Sequence, residues 1–261
     1  MSRIPAAILE LAENLNLNCP PRQGEERVVR PEFAAIIGAE NDAHHNVVQR
    51  LRLTPDTVAS TVAEIRAIYA AKGVRAITWE VGDHAEPSDL AERLIALGMK
   101  PFAENELSVG MVLTRPLATV DAAITVRRVE TLEEFTRAAW IFRRGFGNDD
   151  APEEPDIALR WAEHRSVAVF ERYLAFDGDE PIAAADALFL EGGVVMVGGA
   201  TLASARSKGA YRALVAARWE EGRRRGTPTL ITQAGPMSRP ILNRLGFEEV
   251  VQIRVFLDQL A

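Results

Sequence analysis

Gly198-Gly-Ala-Thr-Leu-Ala-Ser-Ala-Arg-Ser-Lys-Gly-Ala-Tyr-Arg-Ala-Leu214 decides how this chain is read. An apolar strand ends in a loop of small residues, and a helix opens at Gly209 among Arg206, Lys208 and Arg212. Tyr211, Val215, Trp219 and Gly222 share one face of a helix running from about Gly209 to Arg225, which Gly226 and Pro228 stop. Free amides at a helix N-terminus, the positive end of its dipole and nearby guanidinium groups suit a phosphate. Gly209 lets backbone approach a pyrophosphate with no Cβ in the way. A Walker loop is excluded, because no Gly-Lys-Ser/Thr is present, and no Gly-x-Gly-x-x-Gly opens a dinucleotide unit. The pyrophosphate of some other carrier is expected.

Outward from this stretch, Ile124–Val129 reads as a strand. Thr131 and Glu134 form a capping box for a helix with Leu132, Phe135, Ala139 and Phe142 on its apolar face. Gly145–Asp156 reads as a loop and Asp156–His164 as a second helix. The strands Val169–Phe176, Ile182–Leu190 and Val194–Ala200 follow, joined by hairpin turns at Asp177–Pro181 and Glu191–Gly193. After the long helix come a strand at Thr229–Thr232, a helix at Arg239–Leu245 capped by Gly246, and a last strand at Val250–Leu257. The strand-helix-strand crossover predicts that Val194–Ala200 and Thr229–Thr232 lie parallel.

The first half echoes this ending. Val47–Leu53 reads as a strand, Thr54 as the cap of a helix with Pro55 at its first position, and Val58, Val62, Ile65 and Tyr69 as its buried face. Gly73, the strand Ala76–Val81, a helix marked by Leu90, Leu94 and Leu97, and Leu97-Gly-Met99 parallel Gly226, a strand, a helix and Leu245-Gly-Phe247. Another strand spans Leu107–Leu113. Pro116 and the small residues around it mark a seam, dividing the chain at 118/119 into a truncated copy (1–118) and a full one (119–261).

Arg206-Ser-Lys-Gly209 resembles the acyl-CoA loop, Arg/Gln-x-x-Gly-x-Gly/Ala, of the GNAT acetyltransferases, and Asn243-Arg-Leu-Gly-Phe247 is similar to the segment ending their last helix. The resemblance implies an α/β fold with a mixed sheet, in tandem, its first half degenerate. It further implies N-acetyl transfer from acetyl-CoA to a primary amine by direct attack. Amides of Ser207, Lys208, Gly209, Ala210, Tyr211 and Arg212 would cradle the pyrophosphate beside Arg206, and Gly199, Ala200 and Thr201 would hold the pantetheine arm. Near Leu53-Thr-Pro-Asp56 the first half has neither the Arg nor the Gly, so its phosphate site is lost.

The chain departs from the family pattern at Tyr211, bulky where Gly or Ala is usual. It departs again in Val194–Leu202, which holds no carboxylate, and at Leu242, where many relatives carry a tyrosine acid. Asp186 on the neighbouring strand is then the nearest candidate base, and Ser238 a candidate to assist the leaving thiol. Those departures leave open a non-catalytic acyl-CoA-binding or interaction protein.

A net charge of −7 argues against nucleic-acid binding, and acidic residues exceed basic ones in both halves, 16 to 12 up to residue 120 and 21 to 18 beyond. Against this, 206–225 holds seven basic residues and only Glu220 and Glu221. Cys19, the single cysteine, excludes an intrachain disulfide, and His44-His45 lacks a third ligand at usable spacing, so no metal is expected. With no apolar run long enough for a bilayer and no leader pattern, a cytoplasmic protein is expected, and the resemblance implies a small-molecule or peptide amine as its acceptor.

Overall fold

In the computed structural model, which describes residues 4–39, 41–103, 106–117, 123–147 and 156–260, the period-two stretches form strands and the capped amphipathic ones helices. The first half runs α1 (Ala6–Glu13), α2 (Leu15–Asn18), β1 (Glu26–Val29), β2 (Ala34–Ile37), β3 (Asn46–Gln49), α3 (Val58–Ala70), β4 (Ala76–Gly82), α4 (Leu90–Ala96), β5 (Lys100–Pro101) and β6 (Leu107–Leu113). The second runs β7 (Ile124–Arg128), α5 (Leu132–Gly145), α6 (Ile157–Ser166), β8 (Phe170–Asp177), β9 (Glu180–Leu190), β10 (Gly193–Thr201), α7 (Ala210–Arg224), β11 (Leu230–Ala234), α8 (Arg239–Leu245) and β12 (Glu248–Gln259). No helix among the described residues is long and apolar enough to cross a membrane.

Two compact units result, one of Met1–Met111, Gln233–Leu242 and Glu249–Ala261, the other of Val112–Thr232 and Asn243–Glu248. Residues 118–122, at the expected seam, and 148–155, in the expected loop, lie outside the described ones.

In the first unit, β1, β2 and β3 form an antiparallel meander and β3 pairs parallel with β4. The copy thus reaches upstream of Val47, where the sequence reading began. Its glycines match those of the second half in backbone as well as order: Gly73 (φ +76°) with Gly226 (+82°), and Gly98 (+93°) with Gly246 (+92°). Helix α3 buries Val58, Val62, Ile65 and Tyr69, as its spacing predicts. The Tyr69 hydroxyl reaches the carbonyls of Ile36 and Val47, each at 2.9 Å.

Two local expectations fail here. β3 ends at Gln49 rather than Leu53, because Arg50 turns left-handed at φ +53°. Helix α3 starts at Val58, and Thr54 is not its cap. Instead Thr57 Oγ1 accepts the Thr54 N–H at 3.0 Å and closes Thr54–Thr57 into a turn.

The closing strand β12 pairs antiparallel with β4, Ile253–Gln259 against Gly82–Ala76. Arg66 of α3 donates through Nε and Nη2 to the buried carboxylate of Asp258, at 2.9 and 2.8 Å.

From β7 to β11 the elements of the second unit follow the predicted order. β7, β8, β9 and β10 form an antiparallel meander, and β11 joins β10 in parallel. Thr131 Oγ1 accepts the Glu134 N–H at 3.2 Å, and Glu134 reaches back to the Glu130 N–H at 2.9 Å, which fixes the start of α5. One face of the sheet carries α5, whose Phe135, Ala138 and Ile141 pack on Leu174, Phe176, Ala184 and Ala200. The other face carries α7, where Gly222 is required: a Cβ there would lie 2.6 Å from Val194 Cγ2.

Removing the half-exposed Arg66 strands the charge of the buried Asp258. Arg66→Ala is therefore expected to lower the unfolding free energy by about 3 kcal/mol. The double variant Arg66→Met/Asp258→Leu should recover most of that loss. Urea denaturation of both checks this, and a negligible effect of Arg66→Ala would contradict it.

Candidate functional site

The site begins where two parallel strands stop pairing. β10 and β11 are in register only over Val194–Leu230 and Val195–Ile231, although β10 continues to Thr201. Thr232 Oγ1 donates to the Met196 carbonyl at 3.1 Å, and a bulge between Val197 and Gly199 then bends β10, with Gly198 at φ +72°. Leu202 N–H bonds to Ile182 O at 3.0 Å, so by strand alternation Ala200 also faces β9. Gly199 and Thr201 turn their N–H and C=O groups the other way, towards the gap.

Next comes the loop. After a 3-10 turn at Ala203–Ala205, Ser207 (φ +69°) and Gly209 (φ +85°) are left-handed, and α7 starts at Ala210. No side chain caps α7 and its first turn holds no acid. Its leading amides have no acceptor within the helix, so they form a concave, positive end of backbone N–H groups. Ser207 adopts this conformation without being a glycine, a strain of the kind concentrated at binding loops.

The seven cations of 206–225 separate into different roles. Arg223 pairs with Glu220 and Arg224 with Glu221, the solvated helix face in ordinary form, whereas Arg225 bridges Glu221 and the buried Glu171 of β8. Arg218 is buried, its Nε bonded to Leu214 O and its Nη1 to Asp186 O. Lys208 extends to Asp177 at 2.7 Å. Arg206 is exposed in the loop, and Arg212 is half-buried in the first turn of α7.

Tyr211 does not obstruct that loop. Its ring lies on β10, and a Cβ at position 199 would sit 3.2 Å from Tyr211 Cε2. The bulk departing from the family pattern at 211 is matched by the lack of a side chain at Gly199.

On the α5 side of the bulge is a cavity of about 220 Å³, lined by Phe142, Phe146, Arg160, Arg172, Asp186 and Gly198 among others. Asp186, the candidate base, is buried there with each oxygen held by Arg172, Nε at 2.7 Å and Nη2 at 2.8 Å. Arg172 is itself fixed, its guanidinium 4.4 Å from the Phe135 centroid and 5.0 Å from that of Phe142. Ser238 belongs to the first unit, where its Oγ lies 3.5 Å from Gly235 O. Leu242 is buried.

No protein-family model matches the chain, and no curated protein matches its sequence. Solved structures do. A GCN5-related N-acetyltransferase from Kribbella flavida superposes with a TM-score of 0.72 at 18% identity, covering 98% of this chain and 96% of that one. A tandem GNAT protein from the clavulanic acid biosynthesis pathway gives 0.65 at 13%, covering 99% and 89%. A GCN5-related N-acetyltransferase from Sphaerobacter thermophilus gives 0.63 at 14%, covering 97% and 91%. The chain has the tandem GNAT fold. The GNAT likeness read from Arg206–Gly209 and Asn243–Phe247 is therefore shown at the level of architecture, and in both halves.

A titratable group, His164, lies among aromatic rings packed near Arg172. His164 stacks on Trp161 at 5.5 Å and meets Phe135 and Phe170 at 5.2 and 5.1 Å. Burial, helped by the charge of Arg172, lowers its pKa from 6.5 to about 4. The folded chain thus resists a proton that the unfolded chain accepts. The resulting contribution is complete above the unfolded value and is lost as pH falls from 6.5 towards 4. His164→Phe is expected to flatten this part of the stability–pH profile, measured by denaturation between those limits. An unchanged slope would contradict the assignment.

Proposed function

We propose that this chain is an N-acyltransferase which moves an acetyl group from acetyl-CoA to a primary amine. The observation that carries the reading is the parting of β10 from β11 directly upstream of a left-handed, uncapped loop-to-helix turn. A linear carrier whose thiol arm runs into a pyrophosphate needs both features in that order. Amides of Ser207–Arg212 would hold the pyrophosphate, with Arg206 adding charge. Gly199 and Thr201 would offer backbone groups to the pantetheine arm, while Ala200 supports the strand from behind.

Acetyl-CoA would supply an acyl carbon already activated as a thioester, open to direct attack by the amine nitrogen. The chain's contribution is then placement and exclusion of water. Both oxygens of Asp186 are engaged by Arg172, so the amine must arrive neutral or lose its proton to water rather than to this carboxylate. The same ion pair favours the second reading, a protein that binds an acyl-CoA and does not turn it over.

The first unit supports only one carrier per chain. Beyond the parallel pairs of β3 and β4, Glu86 N–H bonds to Leu51 O and Leu53 N–H to Glu86 O, both at 3.0 Å. The gap that stays open after Val195 is laced shut here. No left-handed glycine lies in the loop from Arg50 to Thr57.

Calorimetric titration with acetyl-CoA is expected to give micromolar affinity at one molar equivalent. Gly209→Glu should weaken it by about a hundredfold or more, because it sets an anion where the pyrophosphate sits. Thr57→Glu, at the matching turn of the first unit, should change nothing. No binding by the wild type would overturn the proposal; binding with no turnover of any amine would select the second reading.

A further inference from the structure

Helix α7 buries a charge that no carboxylate among the described residues answers. Arg218 is 1% exposed, and its guanidinium reaches backbone groups: Nε donates to the Leu214 carbonyl at 3.0 Å and Nη1 to that of Asp186 at 3.1 Å. Its Nη2 has no hydrogen-bond partner among the described residues. The two buried carboxylates of β8 and β9 are engaged elsewhere, Glu171 by Arg128, Arg225 and the Tyr173 hydroxyl, and Asp186 by Arg172. A guanidinium buried in this way costs stability, and burial holds its pKa below the ordinary arginine value. A methionine would fill much of the same space without that cost.

What Arg218 grips is the residue at which the sheet slips. Val197 pairs with Asp186 and Gly199 with Ala185, so the extra residue of the bulge, Gly198, falls between these two pairs. Asp186 is held from both faces of the sheet, its carboxylate by Arg172 on the α5 side and its carbonyl by Arg218 on the α7 side. A bulge is where strand pairing can move by one residue, and such a move reverses which backbone groups of β10 face the gap. Gly199 is the first paired residue beyond it, with Tyr211 of α7 packed against it.

Resting on the acyltransferase reading, we propose that Arg218 is a positioning residue for acyl transfer. By fixing the Asp186 carbonyl opposite the bulge, it holds Gly199 and Thr201 in the register that presents their backbone groups to the thioester arm. It acts through β9 and touches no reacting atom. Its place in the core serves the slot at the expense of the fold, which separates it from Gly222, a residue that packing alone requires.

The test compares wild type, Arg218→Met and Arg218→Lys by urea denaturation, calorimetric titration with acetyl-CoA, and amide hydrogen exchange with and without acetyl-CoA. Arg218→Met is expected to keep or raise the urea midpoint while weakening acetyl-CoA about tenfold. In the free variant, exchange should speed up at Leu202, whose N–H bonds to Ile182 O beyond the bulge. Under saturating acetyl-CoA, protection should persist at Ser207–Arg212 and be lost at Gly199 and Thr201. Arg218→Lys, which keeps a donor for the Asp186 carbonyl, should recover most of the affinity. Unchanged affinity and protection in Arg218→Met overturns the inference, as does a lysine variant no better than the methionine one. A lowered midpoint, or protection lost equally at Ser207–Arg212, also overturns it, because Arg218 then serves the fold alone. In these outcomes wild type still binds acetyl-CoA and the inference fails by itself; if wild type does not bind it, the acyltransferase reading fails and the positioning role falls with it.

Discussion

Backbone groups at the edge of a strand must bond to something, and in the second unit two parallel strands abandon each other after two residue pairs. Everything at the candidate site follows from that. The bulge at Val197–Gly199 turns β10 aside, β9 keeps one set of its amides, and Gly199 and Thr201 are left facing a gap. The first unit meets the same constraint differently: Glu86 supplies both a donor and an acceptor to Leu51 and Leu53. One sheet geometry therefore gives a slot in one unit and a sealed seam in the other, through a single residue's backbone.

Holding such a slot open requires that the helix beyond it be fixed in place. Gly222 lets α7 approach β10 closely, and Tyr211 seats its ring over Gly199. Buried Arg218 bonds to the Leu214 and Asp186 carbonyls, tying α7 to β9. The ion pairs of Arg223–Arg225 lie at the far end of α7 and are weak individually. The positive N-terminal end is thus positioned by packing.

Much of this was legible in the sequence, because glycines, caps and periodicities are local. The element order from Ile124 onwards and the parallel crossover both follow from such signals. What was not legible was register. Strict pairing outward from Asp177–Glu180 would set Asp186 opposite Glu171. A bulge between Ala175 and Phe176 shifts the count by one and sets it opposite Arg172 instead. That one-residue shift turns a candidate base into half of a buried ion pair. The Thr54 cap failed for a related reason, since a second threonine at 57 offered a competing local hydrogen bond. Arg160 and Phe146 carry no sequence signal at all, because a groove lining depends on which elements meet.

The central claim is that an acyl carrier enters the gap between β10 and β11 and not the laced seam beside β3. Amide hydrogen exchange with and without acetyl-CoA tests it most directly. The account predicts slowed exchange confined to Gly199, Thr201 and the Ser207–Arg212 turn, with Arg50–Val58 unchanged. Protection around Leu51–Val58, or none at Ser207–Arg212 under saturating acetyl-CoA, would contradict it.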